Sequence, residues 1–250
     1  MRVSRLVLSM VAAAGMSVGL VQGAAALTID FEGFSNGQIL SSFGGGAGTH
    51  SFGSLDVTFS GKEKDGGNGR VVVFDTNNTG NSSDPDLHAD FEVGPNYGTL
   101  GPIRPGNALI IQDDSNLSSC SSGFCTDPDD EVDGQFTLDF SQGVRLSSID
   151  VLDIGGATLS LFFANNLLAD INVPGVGGSS NGGDDNRSGT FVLDSQFANL
   201  VIDRFVFTLG NSGAIDNIVV SQVPVPAALP LLGAALAAFG LMSRRRAKLA

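Results

Sequence analysis

Tryptophan, tyrosine, histidine and cysteine are scarce in this sequence. Its 250 residues include no tryptophan, one tyrosine, two histidines and two cysteines. A zinc site needs several nitrogen and sulfur ligands, so this composition argues against one. Carbohydrate-binding surfaces usually present exposed aromatic rings. With Tyr97 as the only tyrosine, a surface built on tyrosine and tryptophan is disfavoured.

Positive charge is also scarce in the middle of the chain. Residues 27–222 contain all 26 acidic residues but only seven basic ones, which gives this segment a net charge of −19. Such a field repels nucleic acid and anionic membrane surfaces and attracts cations. A nucleic-acid partner is therefore excluded. Because 22 of the 26 acidic residues are aspartate, a poor helix former, the composition favours strands joined by turns.

The N-terminus has the three parts of a secretory signal. Arg2 and Arg5 supply a positive start, and residues 6–21 are uncharged. Ala24 and Ala26 then occupy the two small-residue positions that signal peptidase requires. We expect residues 1–26 to be a signal peptide, cleaved after Ala26. The alternative is an uncleaved membrane anchor, which the short apolar run disfavours.

The C-terminus carries a second apolar segment followed by a basic cluster. Residues 223–242 contain no charge, a length that is sufficient to cross a bilayer. Prolines at its start restrict the predicted helix to about residues 231–242. The basic residues Arg244, Arg245 and Arg246 follow, and they are expected to stay on the cytoplasmic side.

This tail resembles the PEP-CTERM sorting signals, and the VPLPA variant in particular. The resemblance covers residues 223–250 and rests on the motif Val223, Pro224, Val225, Pro226 and Ala227, then the apolar helix and the arginines. Val225 stands where the variant has leucine. The resemblance implies processing by an exosortase-type enzyme near the motif, transient membrane contact, and release to the cell surface or exopolysaccharide matrix of a Gram-negative bacterium. An ordinary single-helix anchor is the alternative.

Residues 27–222 alternate between apolar and polar positions in many short segments, a period typical of β-strands. About eleven strands are expected, separated by glycine-rich loops at 44–48, 65–69 and 175–183 and by long polar connections at 76–106 and 113–134. No helical period is evident. The sequence predicts one all-β domain, a two-sheet antiparallel β-sandwich of jelly-roll type.

The first and last strands of this domain resemble those of carbohydrate-binding jelly-roll modules. The resemblance rests on residues 29–33, Ile-Asp-Phe-Glu-Gly, and 213–218, Gly-Ala-Ile-Asp-Asn-Ile. It implies that the two strands pair and that Glu32 and Asp216 hold a structural Ca²⁺. Alternatively, both are ordinary strand-end acids that face water.

Acidic residues also cluster in the long connections. Asp129, Asp130 and Glu131 form the densest run, and Asp75 and Asp86 lie in another loop. Ca²⁺ takes six to eight oxygen ligands in flexible geometry, and loops rich in Asp, Asn and Gly supply them. These five residues are therefore further candidate Ca²⁺ ligands, if the loops converge. The alternative is a solvated acidic surface that keeps the protein soluble.

The two cysteines, Cys120 and Cys125, are five positions apart. In an exported protein, such a pair is expected to form a disulfide that closes a small loop. A metal-binding pair is the alternative, disfavoured because no histidine or further cysteine lies nearby.

Two functions of different class remain open. The first is a non-catalytic cell-surface or matrix protein, stabilised by Ca²⁺ and associated with extracellular polysaccharide. The second is a secreted polysaccharide hydrolase that uses a pair of carboxylates, as most glycosidases do.

Overall fold

Strands with a buried residue at every second position make up most of the protein. In Leu55–Lys62 the apolar Leu55, Val57 and Phe59 are completely buried, and the residues between them are more exposed. The computed structural model describes residues 26–77, 87, 92–93, 96, 105–130, 133–176 and 187–223. The described residues belong to one compact unit.

Fifteen strands and two short helices occur in the described residues. The helices are a 3₁₀ helix at Asp114–Ser119 and α1 at Ser195–Ala198. The strands in chain order are β1 Ala26–Ile29, β2 Gly48–Phe52, β3 Leu55–Lys62, β4 Asn68–Gly69, β5 Val71–Asp75, β6 Glu92–Val93, β7 Asn107–Ile111, β8 Cys120–Ser121, β9 Phe124–Cys125, β10 Gln135–Leu152, β11 Gly156–Phe163, β12 Asn166–Pro174, β13 Arg187–Val192, β14 Ile202–Leu209 and β15 Ala214–Gln222.

The long strand β10 joins the two halves of one curled sheet. Its first part, 135–140, pairs with β3 and β14, and its second part, 144–152, pairs with β15 and β13. The register shifts between Asp139 and Val144, where the strand passes from one half to the other. The main path of the sheet is β12-β11-β14-β10-β15-β7-β5. Its halves face each other, so the expected all-β antiparallel sandwich is confirmed.

The main hydrophobic core lies between these halves. It combines side chains from both, for example Phe136, Phe205 and Phe207 from one half with Leu109 and Ile215 from the other. A second, smaller cluster lies on the outer face of β5 and β7, where Val72, Phe74 and Ile110 pack against Ile39 and the disulfide. This outer cluster follows from the continuous apolar sequence of both strands, which buries both of their faces.

Pairing adds structure in three places where alternation does not predict it. β10 continues without a break through Gln142 and Gly143, where the alternation lapses. The glycine-rich segment 44–48 ends in β2, which pairs with β3 from Gly48 to Phe52. The connection 113–134 contains the 3₁₀ helix and the β8–β9 hairpin. In each case, pairing with a distant segment or a short turn sets the structure, and alternation does not reveal it.

The two ends of the described chain lie beside each other. Ala26 is the first residue of β1 and pairs with Ser221 on β15, and the Val223 N–H donates to the Gly143 carbonyl at 2.9 Å. The remaining predicted signal and sorting residues, including Ala24, the motif from Pro224 to Ala227 and Arg244, Arg245 and Arg246, lie outside the described residues. Within the described part of the chain, no helix has the length and apolar character needed to cross a membrane.

The expected disulfide between Cys120 and Cys125 is confirmed. It closes the hairpin formed by β8 and β9, and both cysteines are buried in the outer apolar cluster. The Cys125 N–H donates to the Gly37 carbonyl at 2.7 Å. A side chain at Gly37 would collide with the Cys125 carbonyl, so glycine permits this close approach. The disulfide therefore fixes the hairpin that covers β5 and β7.

Candidate metal centre at the terminal strands

The first and last strands of the domain pair as the sequence predicts, and their acidic residues meet there. β1 runs antiparallel to β15, with Ile29 opposite Ile218. Ile29 and Phe31 point into the main core. Because successive side chains of an extended segment alternate between faces, Asp30 and Glu32 are placed on the outer face. Asp216, on β15, is only 1% exposed.

Asp150 is the direct cross-strand neighbour of Asp216. The two residues face each other in the β10–β15 register, and Asp150 is 6% exposed. The side-chain amide of Asn217 links them, since Nδ2 donates to Asp150 Oδ2 at 3.0 Å and to Asp216 Oδ2 at 2.9 Å. Thr190 on β13 donates its hydroxyl to Asp150 Oδ1 at 2.6 Å. Asp150 therefore has partners on both oxygens.

Asn217 adopts a backbone conformation that brings its amide between the two carboxylates. Its φ of 44° lies in the left-handed region, which asparagine tolerates better than most residues. This residue interrupts the regular strand between Asp216 and Ile218. The Asp-Asn sequence thus supplies both the buried acid and the amide that holds it.

Ionisation of the Asp216 carboxyl group is electrostatically unfavourable. The pKa of Asp216 is raised to about 8, and burial is the largest cause. A backbone hydrogen bond from Asn217 lowers this pKa, whereas the nearby carboxylates of Asp150, Glu32 and Asp30 raise it. Burial also raises the pKa of Asp150, against hydrogen bonds from Thr190 and Asn217. Asp216 Oδ1 is buried and has no hydrogen-bond partner among the described residues.

Glu32 forms the exposed side of this group of acids. Its Oε1 accepts the backbone N–H of Asn107 at 2.9 Å, which brings it beside the start of β7. The amide of Asn107 donates to the carbonyls of Phe31 at 3.1 Å and Phe34 at 2.9 Å, and so holds the segment after β1. At Gly106, φ is 74°, and a Cβ there would lie 2.1 Å from Glu32 Oε1. Glycine at this position makes room for the carboxylate.

The donor chemistry of this group suits a hard cation. All its ligand atoms are oxygens, two acids are buried and two are exposed, and one buried carboxylate oxygen has no described partner. In their present positions, however, no three His, Cys, Asp or Glu side chains of the described residues lie close enough together to enclose a metal ion. A Ca²⁺ ion here would need further oxygens from carbonyls, amides or water.

The other predicted ligands that the structure describes have hydrogen bonds of their own. Asp130 is buried, and its Oδ2 accepts a short hydrogen bond from the Gly213 N–H, just before β15. The Asp129 carbonyl accepts the N–H of Asp113 at 2.8 Å. Asp75 Oδ1 accepts the N–H of Asn77 at 2.9 Å. These contacts give the three residues structural roles in holding loops, while Asp86 and Glu131 lie outside the described residues.

Sequence reasoning selected Glu32 and Asp216 but missed Asp30 and Asp150. Asp30 is two positions before Glu32 on an extended segment, so period-2 alternation was a usable signal. Asp150 lies between Ile149 and Val151, inside a short apolar stretch that ends at Leu152. A lone carboxylate in such a stretch is costly to bury without a partner, and this anomaly was the second available signal.

Replacement of Gly106 by alanine tests the position of Glu32. We expect Gly106→Ala to lower the melting temperature more than Gly66→Ala and to weaken any response to Ca²⁺, because only at Gly106 would the new methyl group displace a carboxylate. Gly66 is the matched control, because its φ is 85° and a Cβ added there would meet no atom within 4 Å. Its replacement therefore measures the cost of a positive φ alone, about 1–2 kcal/mol. Equal losses in the two variants would contradict this role for Gly106.

Comparison with known proteins gives one weak structural similarity and no sequence match. No family model matches the chain, and no curated protein matches it either. Among solved structures, a mutant of a family 29 carbohydrate-binding module, used to probe ligand recognition, is similar at 19% identity over 49% of this chain and 75% of that chain. The TM-score of 0.28 is too low to establish a common fold.

Proposed function

We propose that this chain is a non-catalytic protein of the bacterial cell surface or extracellular matrix, whose β-sandwich is stabilised by Ca²⁺ and associates with polysaccharide. The terminal segments support export and sorting, through signal peptidase and an exosortase-type enzyme. Exosortase-type processing would leave the acidic domain outside the cell. There, free Ca²⁺ at millimolar levels is able to fill weak sites.

The observation that carries the calcium part of the proposal is the buried Asp216 Oδ1, which has no hydrogen-bond partner in the part of the chain that the structure describes. A buried carboxylate without a counter-charge is costly, and it must either keep a proton or gain a cation. Glu32, Asp30 and Asp150 add negative charge around it, which disfavours the ionised state without a cation. A divalent ion held by Asp216 with Glu32 or Asp30 would relieve this repulsion, and Asn217 and Thr190 would hold Asp150 in place.

Thermal unfolding of the full chain tests this proposal. A ligand that binds only the folded state raises its stability by RT ln(1 + [L]/Kd), so millimolar Ca²⁺ stabilises the protein even at a site of sub-millimolar affinity. We expect the melting temperature to rise when EGTA is replaced by about 5 mM Ca²⁺. NaCl at equal ionic strength is the control and should give no comparable rise. Identical melts in all three buffers would contradict the calcium site.

A hydrolase is the competing function, and Asp150 and Asp216 are the pair of acids that it would use. Two neighbouring carboxyl groups with raised pKa values resemble the acids of glycosidases. Both side chains are buried among the described residues, however, so neither is exposed there to a sugar chain. We expect no release of reducing ends from soluble glucans or pectins. Release that disappears in Asp216→Asn would favour the hydrolase instead.

A further inference from the structure

One half of the sandwich presents a broad outer face that is rich in hydroxyl groups. The alternate residues of β3, β10, β14 and β11 that do not enter the core stand in register across this face. The rows are Lys62, Gln135, Thr208 and Thr158; Ser60, Thr137, Val206 and Ser160; and Thr58, Asp139, Arg204 and Phe162. Six of these twelve residues are Ser or Thr, and we call the set the hydroxyl face.

Hydrogen bonds across neighbouring strands hold several of these side chains in place. Gln135 Nε2 donates to Thr208 Oγ1 at 2.9 Å. At the edges of the face, Ser160 donates to Asp170 at 2.6 Å, and the hydroxyls of Thr49 and Thr58 are 2.8 Å apart. A hydroxyl has one donor and two acceptor sites, so a single such bond leaves capacity for another partner. The face is thus preorganised for further hydrogen bonds.

Arg204 adds a flat polar group at one end of the hydroxyl face. Its guanidinium lies over the ring of Phe162, 4.5 Å from the ring centroid, and its Nη1 donates to Asn165 Oδ1 at 3.1 Å. Its Nε is buried and has no hydrogen-bond partner among the described residues. A planar donor group stacked on an aromatic ring is a favourable surface for a sugar ring and its hydroxyls.

The charge of the hydroxyl face differs from that of the whole domain. Lys62 and Arg204 are offset by Asp139 on the face and by Asp56, Asp170 and Asp203 beside it. Two basic and four acidic residues give a charge of −2, whereas residues 27–222 carry a net charge of −19. An anionic polymer would be repelled by the domain, and a cationic one would be drawn to the acidic surface elsewhere. Val206 and Phe162 are the apolar residues of the face, too few for the apolar centre of a typical protein interface.

We infer that the hydroxyl face binds a neutral, extended polysaccharide, whose hydroxyl groups match the rows of Ser, Thr and Gln side chains. Rows of strands about 4.8 Å apart give a surface roughly 15–25 Å across, long enough for several sugar units. This inference rests on the proposed function and names the surface that carries it out. It is independent of the metal centre, which lies on the other half of the sandwich.

Affinity electrophoresis of the full chain tests the inference. The gels contain hydroxyethylcellulose or xyloglucan as neutral polymers, or polygalacturonate as an anionic one. We expect retardation by a neutral polymer, and at least about tenfold weaker binding after the combined change Thr58→Val, Thr137→Val and Thr208→Val, which removes hydroxyls but keeps shape. Thr28→Val on β1 is the control and should bind normally. Thr137→Gln, which adds bulk at the centre, is a second variant in case the triple variant unfolds.

Each outcome separates the inference from the proposed function. Neutral-polymer binding that is equal in the folded triple variant, in Thr137→Gln and in the wild-type chain would overturn the hydroxyl face and leave polysaccharide association standing. Retardation by polygalacturonate alone would do the same. Absence of retardation by any polymer would contradict both. A concentration-dependent dimer that the triple variant loses would assign the face to a second copy of the chain and overturn the inference.

Discussion

Replacing Asp216 with asparagine is expected to raise the melting temperature of the calcium-free protein and to abolish its response to Ca²⁺. Asparagine keeps the shape of the side chain and removes a buried charge that has no counter-ion among the described residues. Relief of one unsatisfied buried charge is worth about 2 kcal/mol or more. In a domain of this size, that corresponds to roughly 4–8 °C. Differential scanning calorimetry at pH 8 in EGTA measures the rise.

Asp194→Asn is the matched control for the Asp216 substitution. Asp194 is exposed, and as the residue preceding α1 it makes no side-chain cap hydrogen bond. The Asp194→Asn substitution therefore changes the net charge by the same amount as Asp216→Asn and leaves the candidate metal centre unaltered. We expect its melting temperature to stay close to that of the wild type in EGTA and to rise with Ca²⁺ as the wild type does. A calcium response retained by Asp216→Asn would contradict the assignment of Asp216 as a ligand.

The second large effect is a pH dependence of stability that Asp216 imposes in the absence of calcium. The pKa of Asp216 is about 8 in the folded protein, against its ordinary value of 3.8 in the unfolded chain. Between these values the folded state binds more protons than the unfolded state, so stability falls as pH rises through this window. Each pH unit inside the window lowers stability by up to about 1.4 kcal/mol from this group alone.

Comparison with Asp216→Asn isolates this contribution from that of the other acids. In EGTA, the difference in stability between the variant and the wild type is expected to grow steadily from pH 5 to pH 8. In millimolar Ca²⁺ the slope of the wild type should weaken or reverse, because the ion replaces the proton and is bound more tightly as pH rises. Urea unfolding at four pH values measures the difference. A pH-independent difference would show that Asp216 does not carry the proton.

Much of the fold follows from alternation along the chain. β3, β11, β12 and β14 each contain apolar residues at every second position facing the core, as alternation predicts. β2 was missed because it pairs with β3 alone and has a weak pattern of intermediate and exposed residues. The continuity of β10 was also missed, since it depends on pairing with three distant partners beyond the Gln142–Gly143 dipeptide.

The candidate site was only half accessible from the sequence. Glu32 and Asp216 were found through a resemblance of the terminal strands, but the pairing of Asp150 with Asp216 depends on the register between two strands more than sixty residues apart. The dense acidic run that includes Asp129 and Asp130 drew attention because of its composition. In the structure, the Asp129 carbonyl accepts the N–H of Asp113 after β7, and Asp130 Oδ2 accepts the N–H of Gly213 before β15.

The most direct test of the account is a calorimetric titration of Ca²⁺ into the calcium-free full chain, repeated with Asp216→Asn. The account predicts binding of Ca²⁺ by the wild type, loss of that binding in the variant, and release of protons on binding below pH 8, seen as heat that depends on the ionisation enthalpy of the buffer. Binding of equal affinity and stoichiometry in both proteins, or no binding by the wild type at millimolar Ca²⁺, would contradict the proposed calcium site.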